Sequence, residues 1–103
     1  MSLTLMVERK VVPGEQGALK SLLRELRSGA TLQPDFISGR SVVDAFNPTI
    51  FMTISTWSSI AVWEDWESQP ARRAIIDRIN ELVQGEPVVR MWLDDDDAPS
   101  GAM

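Results

Sequence analysis

Thr56 to Arg73 reads TWSSIAVWEDWESQPARR, and this stretch decides the fold. It opens at the end of a β-branched run, Thr49 to Trp57 (TIFMTISTW), which predicts a strand. Ser58 or Ser59 then supplies a hydroxyl able to cap a helix. That helix carries Ile60, Trp63 and Trp66 on adjacent turns, and Trp63 and Trp66, three apart, share a face. Ser68-Gln69-Pro70 stops it and opens another, because proline fits the first helical position. Ala71 to Gln84 carries Ile75, Ile76, Ile79, Leu82 and Val83 in one stripe, and Gly85 with Pro87 ends it. A strand therefore runs into a helix split in two.

Outward from this stretch the pattern is regular. Leu3 to Val12 is rich in β-formers and predicts the first strand, which Pro13-Gly14 breaks. Glu15 to Ser28 carries Leu19, Leu22, Leu23 and Leu26 at helical spacing, with Arg24, Arg27 and Gly29 suited to its C-terminus. Ala30 to Asp35 is a loop. Phe36 to Ala45 is the second strand, with Gly39 marking a bulge or a close backbone approach. Asn47-Pro48 is a turn that joins it to the third strand as a hairpin. Val88 to Leu93 is the fourth strand. The order β-α-β-β-α-β predicts an α+β, ferredoxin-like domain over residues 1–93, with an antiparallel four-stranded sheet. Asp94 to Met103 (DDDDAPSGAM) reads as an acidic, disordered tail.

Neither face of the third and fourth strands is cleanly polar. One side reads Ile50, Met52, Ile54, Thr56 with Val88, Arg90, Trp92; the other reads Phe51, Thr53, Ser55, Trp57 with Val89, Met91, Leu93. Helices cover one face, so the other is expected to meet a second copy in a homodimer.

Composition excludes several chemistries. The 103 residues suit a single domain with a modest core. There is no cysteine and no histidine, so thiolate catalysis, disulfides and imidazole ligation of metal or haem are ruled out. With no tyrosine either, acid–base work falls to carboxylates, lysine, water or the substrate itself. The net charge is −5, and Asp94 to Asp97 supply most of it, leaving no basic stripe for nucleic acid. No apolar run is long enough to span a membrane, and the first residues lack the pattern of a secretion signal, so a cytoplasmic setting is expected.

The Pro13-Gly14 break, Phe36-Ile37-Ser38-Gly39, Ser55-Thr56-Trp57, Trp63-Glu64-Asp65-Trp66 and Ser68-Gln69-Pro70 together resemble the antibiotic biosynthesis monooxygenase family, over about residues 4 to 93. The resemblance implies a dimeric α+β barrel with a pocket between sheet and helices in each subunit. Some members of that family oxygenate electron-rich polycyclic phenols without metal or flavin; others degrade haem, and others act on signalling molecules or quinones. Trp57 matches the strand-end tryptophan that lines the haem pocket of the haem-degrading relatives. The place of their axial histidine falls at Ile76, however, which argues against haem.

The cofactor-free branch asks a pocket to hold aromatic rings, stabilise an anion and exclude water. The resemblance implies Trp57 as the residue at the reacting centre. Trp63, Trp66, Arg9, Arg40 and Arg73 are the expected substrate-binding residues, the arginines for their fit to a phenolate or enolate. The tyrosine and asparagine that oxygenase relatives employ have no clear counterpart, because Asn47 and Asn80 lie in a turn and on a helix. The expected partners are a small aromatic molecule and dioxygen, with no metal or organic cofactor. A second reading is a non-catalytic homodimer that binds a small ligand or serves as an accessory protein. Several side chains keep a purely structural alternative. Trp66 can pin the helix from below, Trp63 can be core, and Trp92 can be barrel core or dimer contact. Arg40 and Arg90 can form dimer ion pairs with Asp44 or Glu8.

Overall fold

The computed structural model describes residues 2–95. Seven elements follow in order: β1 (Leu3–Val11), α1 (Gln16–Thr31), β2 (Phe36–Val43), β3 (Ile50–Trp57), α2 (Ile60–Glu67), α3 (Pro70–Asn80) and β4 (Val83–Leu93). The strands form one sheet in the order β2-β3-β1-β4, and every neighbouring pair is antiparallel. This is the α+β, ferredoxin-like architecture expected from the strand and helix order. No described helix is long and apolar enough to cross a membrane.

Local chemistry explains the element boundaries. Ser59 caps α2 by accepting a hydrogen bond from the Val62 amide at 3.2 Å. Pro70 occupies the first turn of α3. The hairpin between β2 and β3 is held by two side chains. Asp44 Oδ1 accepts from the Phe46 and Asn47 amides at 2.8 and 2.9 Å, and Asn47 Oδ1 accepts from Thr49.

Three boundaries differ from the sequence expectation by three residues or more. α1 continues through Gly29 to Thr31 instead of ending at Ser28, and Trp66 packs against the bare face of that glycine. α3 stops at Asn80, short of Gln84. β4 in turn begins at Val83, five residues before Val88. The apolar stripe that suggested helix at Leu82 and Val83 serves the strand instead. The Val12 amide donates to the Leu82 carbonyl at 2.8 Å, and Val83 pairs with Val11 in the sheet. Pro87 is tolerated because β4 is an edge strand.

Side chains on the helix side of β1 alternate with those facing away, and the helix side is the buried one. The opposite face shows Met6, Met52 and Ile54 half-buried, with Val88 and Trp92 exposed. Arg90 lies over the Trp92 ring, 4.7 Å from its centroid. Of the expected acidic tail, Asp94 and Asp95 are described. Residues 96–103, and with them most of the expectation of disorder, lie outside the described residues.

Candidate functional site

The helix-side residues of β1 are Leu3, Leu5, Val7, Arg9 and Val11. Four are apolar and one is charged, and the charged one marks a seam. Leu3, Leu5 and Val7 join Ala30, Trp57, Trp63 and Trp66 in one core cluster. Val11 joins Leu19, Leu22, Leu23, Phe51 and Ile79 in another. Arg9 stands between them.

A cleft opens at this seam. Its volume is about 70 Å³, and β1, β2, β3 and all three helices contribute to its lining. The floor is Val7, Arg9, Thr53 and Ser55; the aromatic walls are Phe36, Trp57, Trp63 and Trp66. Leu5, Val7, Arg9, Trp63 and Arg72 also line a wider groove of about 630 Å³ that runs along β4, so the two spaces adjoin. The inner cleft alone is smaller than a fused ring system, and the groove supplies the remaining room.

The groove exists because β4 is irregular opposite Arg9. Glu8 pairs with Val88 and Lys10 with Gln84, so Arg9 faces the three-residue stretch Gly85, Glu86 and Pro87. Gly85 adopts a φ of 69°, which favours glycine, and Pro87 has no amide to donate. The bulge lifts the edge strand away from Arg9. Val89 and Met91, on the helix side of β4, pair in regular register with Val7 and Leu5 at the edge of the sheet and stay about half exposed in the groove wall.

Arg9 is buried to 7% exposure, yet no described carboxylate pairs with it. Its Nη1 donates one long hydrogen bond, 3.5 Å, to Thr53 Oγ1. Every fully buried side-chain nitrogen or oxygen among the described residues has a partner, so the remaining guanidinium nitrogens face the cleft. Burial pushes the Arg9 pKa down to about 10, and the nearby charge of Arg72 adds to the shift. Burial also lowers Arg72, with Glu67 acting against the shift and Arg73 acting with it. Both arginines remain cationic at neutral pH.

Trp57 is almost fully buried. Its Nε1 donates to Ser55 Oγ at 3.0 Å, and its ring meets Phe36 edge-on with centroids 5.0 Å apart. The indole N–H is thus taken within the protein, and Trp57 offers the cleft a ring surface. Trp66 reaches under α1, where a Cβ on Gly29 would lie 2.7 Å from its Cη2. Trp63 lines both the cleft and the groove.

Among the residues expected from sequence, the cleft brings together Trp57, Trp63, Trp66 and Arg9. Arg40 borders it, but pairs with Ile54 in the register that faces away from the helices. Arg73 is exposed on α3 and lies outside the lining; its neighbour Arg72 takes that place. Arg72 was legible in the helical spacing, since it precedes Ile76 by four and Ile79 by seven and so shares their face. Ile76 lines the groove with an apolar side chain. No group of histidine, cysteine or carboxylate side chains able to hold a metal occurs among the described residues.

Residues 2–78 match the family model of antibiotic biosynthesis monooxygenases. Solved structures share the fold across nearly the whole chain. The cofactor-independent oxygenase SnoaB from Streptomyces nogalater superposes with a TM-score of 0.79 at 14% identity, covering 90% of this chain and 93% of that one. Rv0793 from Mycobacterium tuberculosis gives 0.84 at 14% identity, covering 96% and 100%. A conserved protein from Methanosarcina mazei gives 0.85 at 13% identity, covering 89% and 91%. At these identities the structures speak for the fold, and the family model, matching well over half of the chain, speaks for descent. The chain belongs to the antibiotic biosynthesis monooxygenase family.

Proposed function

We propose that this protein is a cofactor-independent monooxygenase acting on a small aromatic or quinol-like compound, as a homodimer. The observation that carries the reading is the cleft itself, with tryptophan walls around a buried arginine that no carboxylate neutralises. SnoaB, which shares the fold, is described as a cofactor-independent oxygenase.

The chemistry asks little of the protein. An anthrone-like substrate has an activated CH₂ between aromatic rings. Losing a proton gives a delocalised enolate, and an arginine at its oxygen lowers the substrate's pKa by stabilising that anion. The enolate passes an electron to dioxygen, and the two radicals combine at carbon. Loss of water from the resulting hydroperoxide leaves C=O in place of CH₂. One oxygen atom enters the product and the other leaves in water with both hydrogens, so no outside reductant is consumed. Trp57 and Trp63 supply ring surface, Arg9 holds the oxyanion, and the surrounding Leu5, Val7 and Phe36 keep water away.

Homodimer formation is supported by the apolar face away from the helices, where Met6, Met52, Ile54, Val88 and Trp92 lie together.

The non-catalytic binding reading keeps one observation in its favour. The inner cleft has no carboxylate among its lining residues, and Glu67 and Glu86 reach only the outer groove, so no base stands deep inside. Oxygen uptake separates the two. The wild type, given anthrone, naphthols and reduced quinones under ¹⁸O₂, should consume one dioxygen per product and place one labelled atom in it. Trp63→Ala should reduce the rate at least tenfold. Binding without uptake above the uncatalysed rate would establish the accessory reading instead.

A further inference from the structure

From the charges that line the cleft, we infer that its ligand is an aromatic acid: a ring system bearing a carboxylate, held by the Arg9–Arg72 pair. This rests on the cleft being the substrate site and narrows what enters it.

The chain as a whole is acidic, with a net charge of −5. Its inner cleft is the reverse. Arg9, Arg27, Arg40 and Arg72 contribute to the lining, and no aspartate or glutamate does. The charge of Arg72 adds to the unfavourable burial of Arg9, and Arg72 itself is half-buried, with Glu67 on the groove side acting against the loss. A buried cation without a counter-ion is unfavourable and persists where a ligand supplies the missing anion. A single transient oxyanion accounts for Arg9, and Glu67 offsets part of the Arg72 charge from the groove side; four arginines around an inner cleft that no carboxylate lines call for a further, permanent negative charge.

Carboxylate is the anion that fits. The planar guanidinium presents paired N–H donors that match its two oxygens. The walls favour a flat, apolar body, which a bare inorganic anion lacks. Arg72 stands in the first turn of α3, whose cap residue Gln69 makes no side-chain capping bond and whose first turn has no acidic residue. The local dipole therefore adds to the positive field. Glu67 and Glu86 line only the outer groove and would disfavour a second acid group there.

Matched pairs test this by calorimetry and tryptophan quenching: 2-naphthoate and 1-hydroxy-2-naphthoate against their methyl esters, with the wild type, Arg9→Met, Arg9→Lys and Arg72→Gln. The wild type should bind each acid about tenfold or more tightly than its ester, as a charged hydrogen bond allows. Arg9→Met and Arg72→Gln should each erase most of that preference. Arg9→Lys should restore part of it. Equal affinity for acid and ester, no binding of either, or a preference untouched in both arginine variants would overturn the inference. Oxygen uptake is a separate readout. Acid selectivity without uptake sinks the oxygenase reading alone, and uptake with equal KM for acid and ester sinks the carboxylate subsite alone.

Discussion

Arg9 is the residue on which stability and function oppose each other. Its folded pKa, about 10, lies below that of an arginine in the unfolded chain. The folded state therefore holds this proton less tightly than the unfolded state does. The penalty is fully present at neutral pH and is relieved as the pH rises through about 10. Methionine keeps much of the stem and removes the charge. Arg9→Met should accordingly raise stability at pH 7, by something of the order of 2 kcal/mol, while weakening ligand binding. Thermal unfolding of both proteins at pH 7 and above pH 10 checks this: the gain should shrink at the higher pH. A variant less stable than wild type at pH 7 would mean that Arg9 is already compensated without ligand. The same gain removes misfolding as an explanation for lost binding in that variant.

Between elements, α2 approaches α1 closely at one glycine, beside Ala30 in the shared core cluster. Gly29 is helical, and on an exposed helix Gly→Ala adds stability by up to about 1 kcal/mol. Here the new Cβ would meet the tip of the buried Trp66 ring at 2.7 Å. The ring is held in the same cluster as Leu3, Ala30 and Trp57 and has little room to retreat. Gly29→Ala should thus destabilise by about 1–3 kcal/mol. In a Trp66→Phe background the clashing atom is absent, and the same change should be close to neutral. Urea denaturation of the four proteins of this cycle gives the coupling; additive effects would show that the two elements do not meet as described. The β4 bulge is the other decisive element. A regular ladder opposite Arg9 would bring β4 alongside it, and the groove along Gly85, Glu86 and Pro87 is what the bulge keeps open.

For the whole molecule, the face away from the helices governs assembly. Trp92 is about half exposed there, beside Arg90 and the similarly exposed Val88. In the proposed homodimer this surface is buried, and a glutamate in place of Trp92 would remove the indole's apolar area and introduce a carboxylate that must be desolvated, even beside Arg90. Trp92→Glu should convert the dimer to a monomer in light scattering after size exclusion, with the far-ultraviolet circular dichroism unchanged. A wild-type protein that elutes as a monomer at micromolar concentration would remove the dimer from the proposal.

The sequence by itself determined the architecture. Strand alternation, the leucine stripe of α1, the Ser59 cap and the Pro70 restart are local signals, each readable within a few residues of itself, and together they specify β-α-β-β-α-β with a split second helix. The aromatic wall residues and the anomaly of Arg9 were also legible. The odd positions of β1 read Leu3, Leu5, Val7, Arg9 and Val11, a charged residue on a buried face. Only the tertiary structure decided the rest. It took Leu82 and Val83 out of the helix, Leu82 into the turn and Val83 into β4, since pairing of Val83 with Val11 outweighed a helical pattern at the end of its run. It placed Arg72 at the cleft, where the helical spacing with Ile76 and Ile79 gave only the shared face and not the site that face meets, and it left Arg73 exposed. It placed the bulge of β4 opposite Arg9, a matter of register between strands more than seventy residues apart in the chain. Local patterns carry information about a residue's own element, whereas a cleft depends on which elements meet, and at what offset.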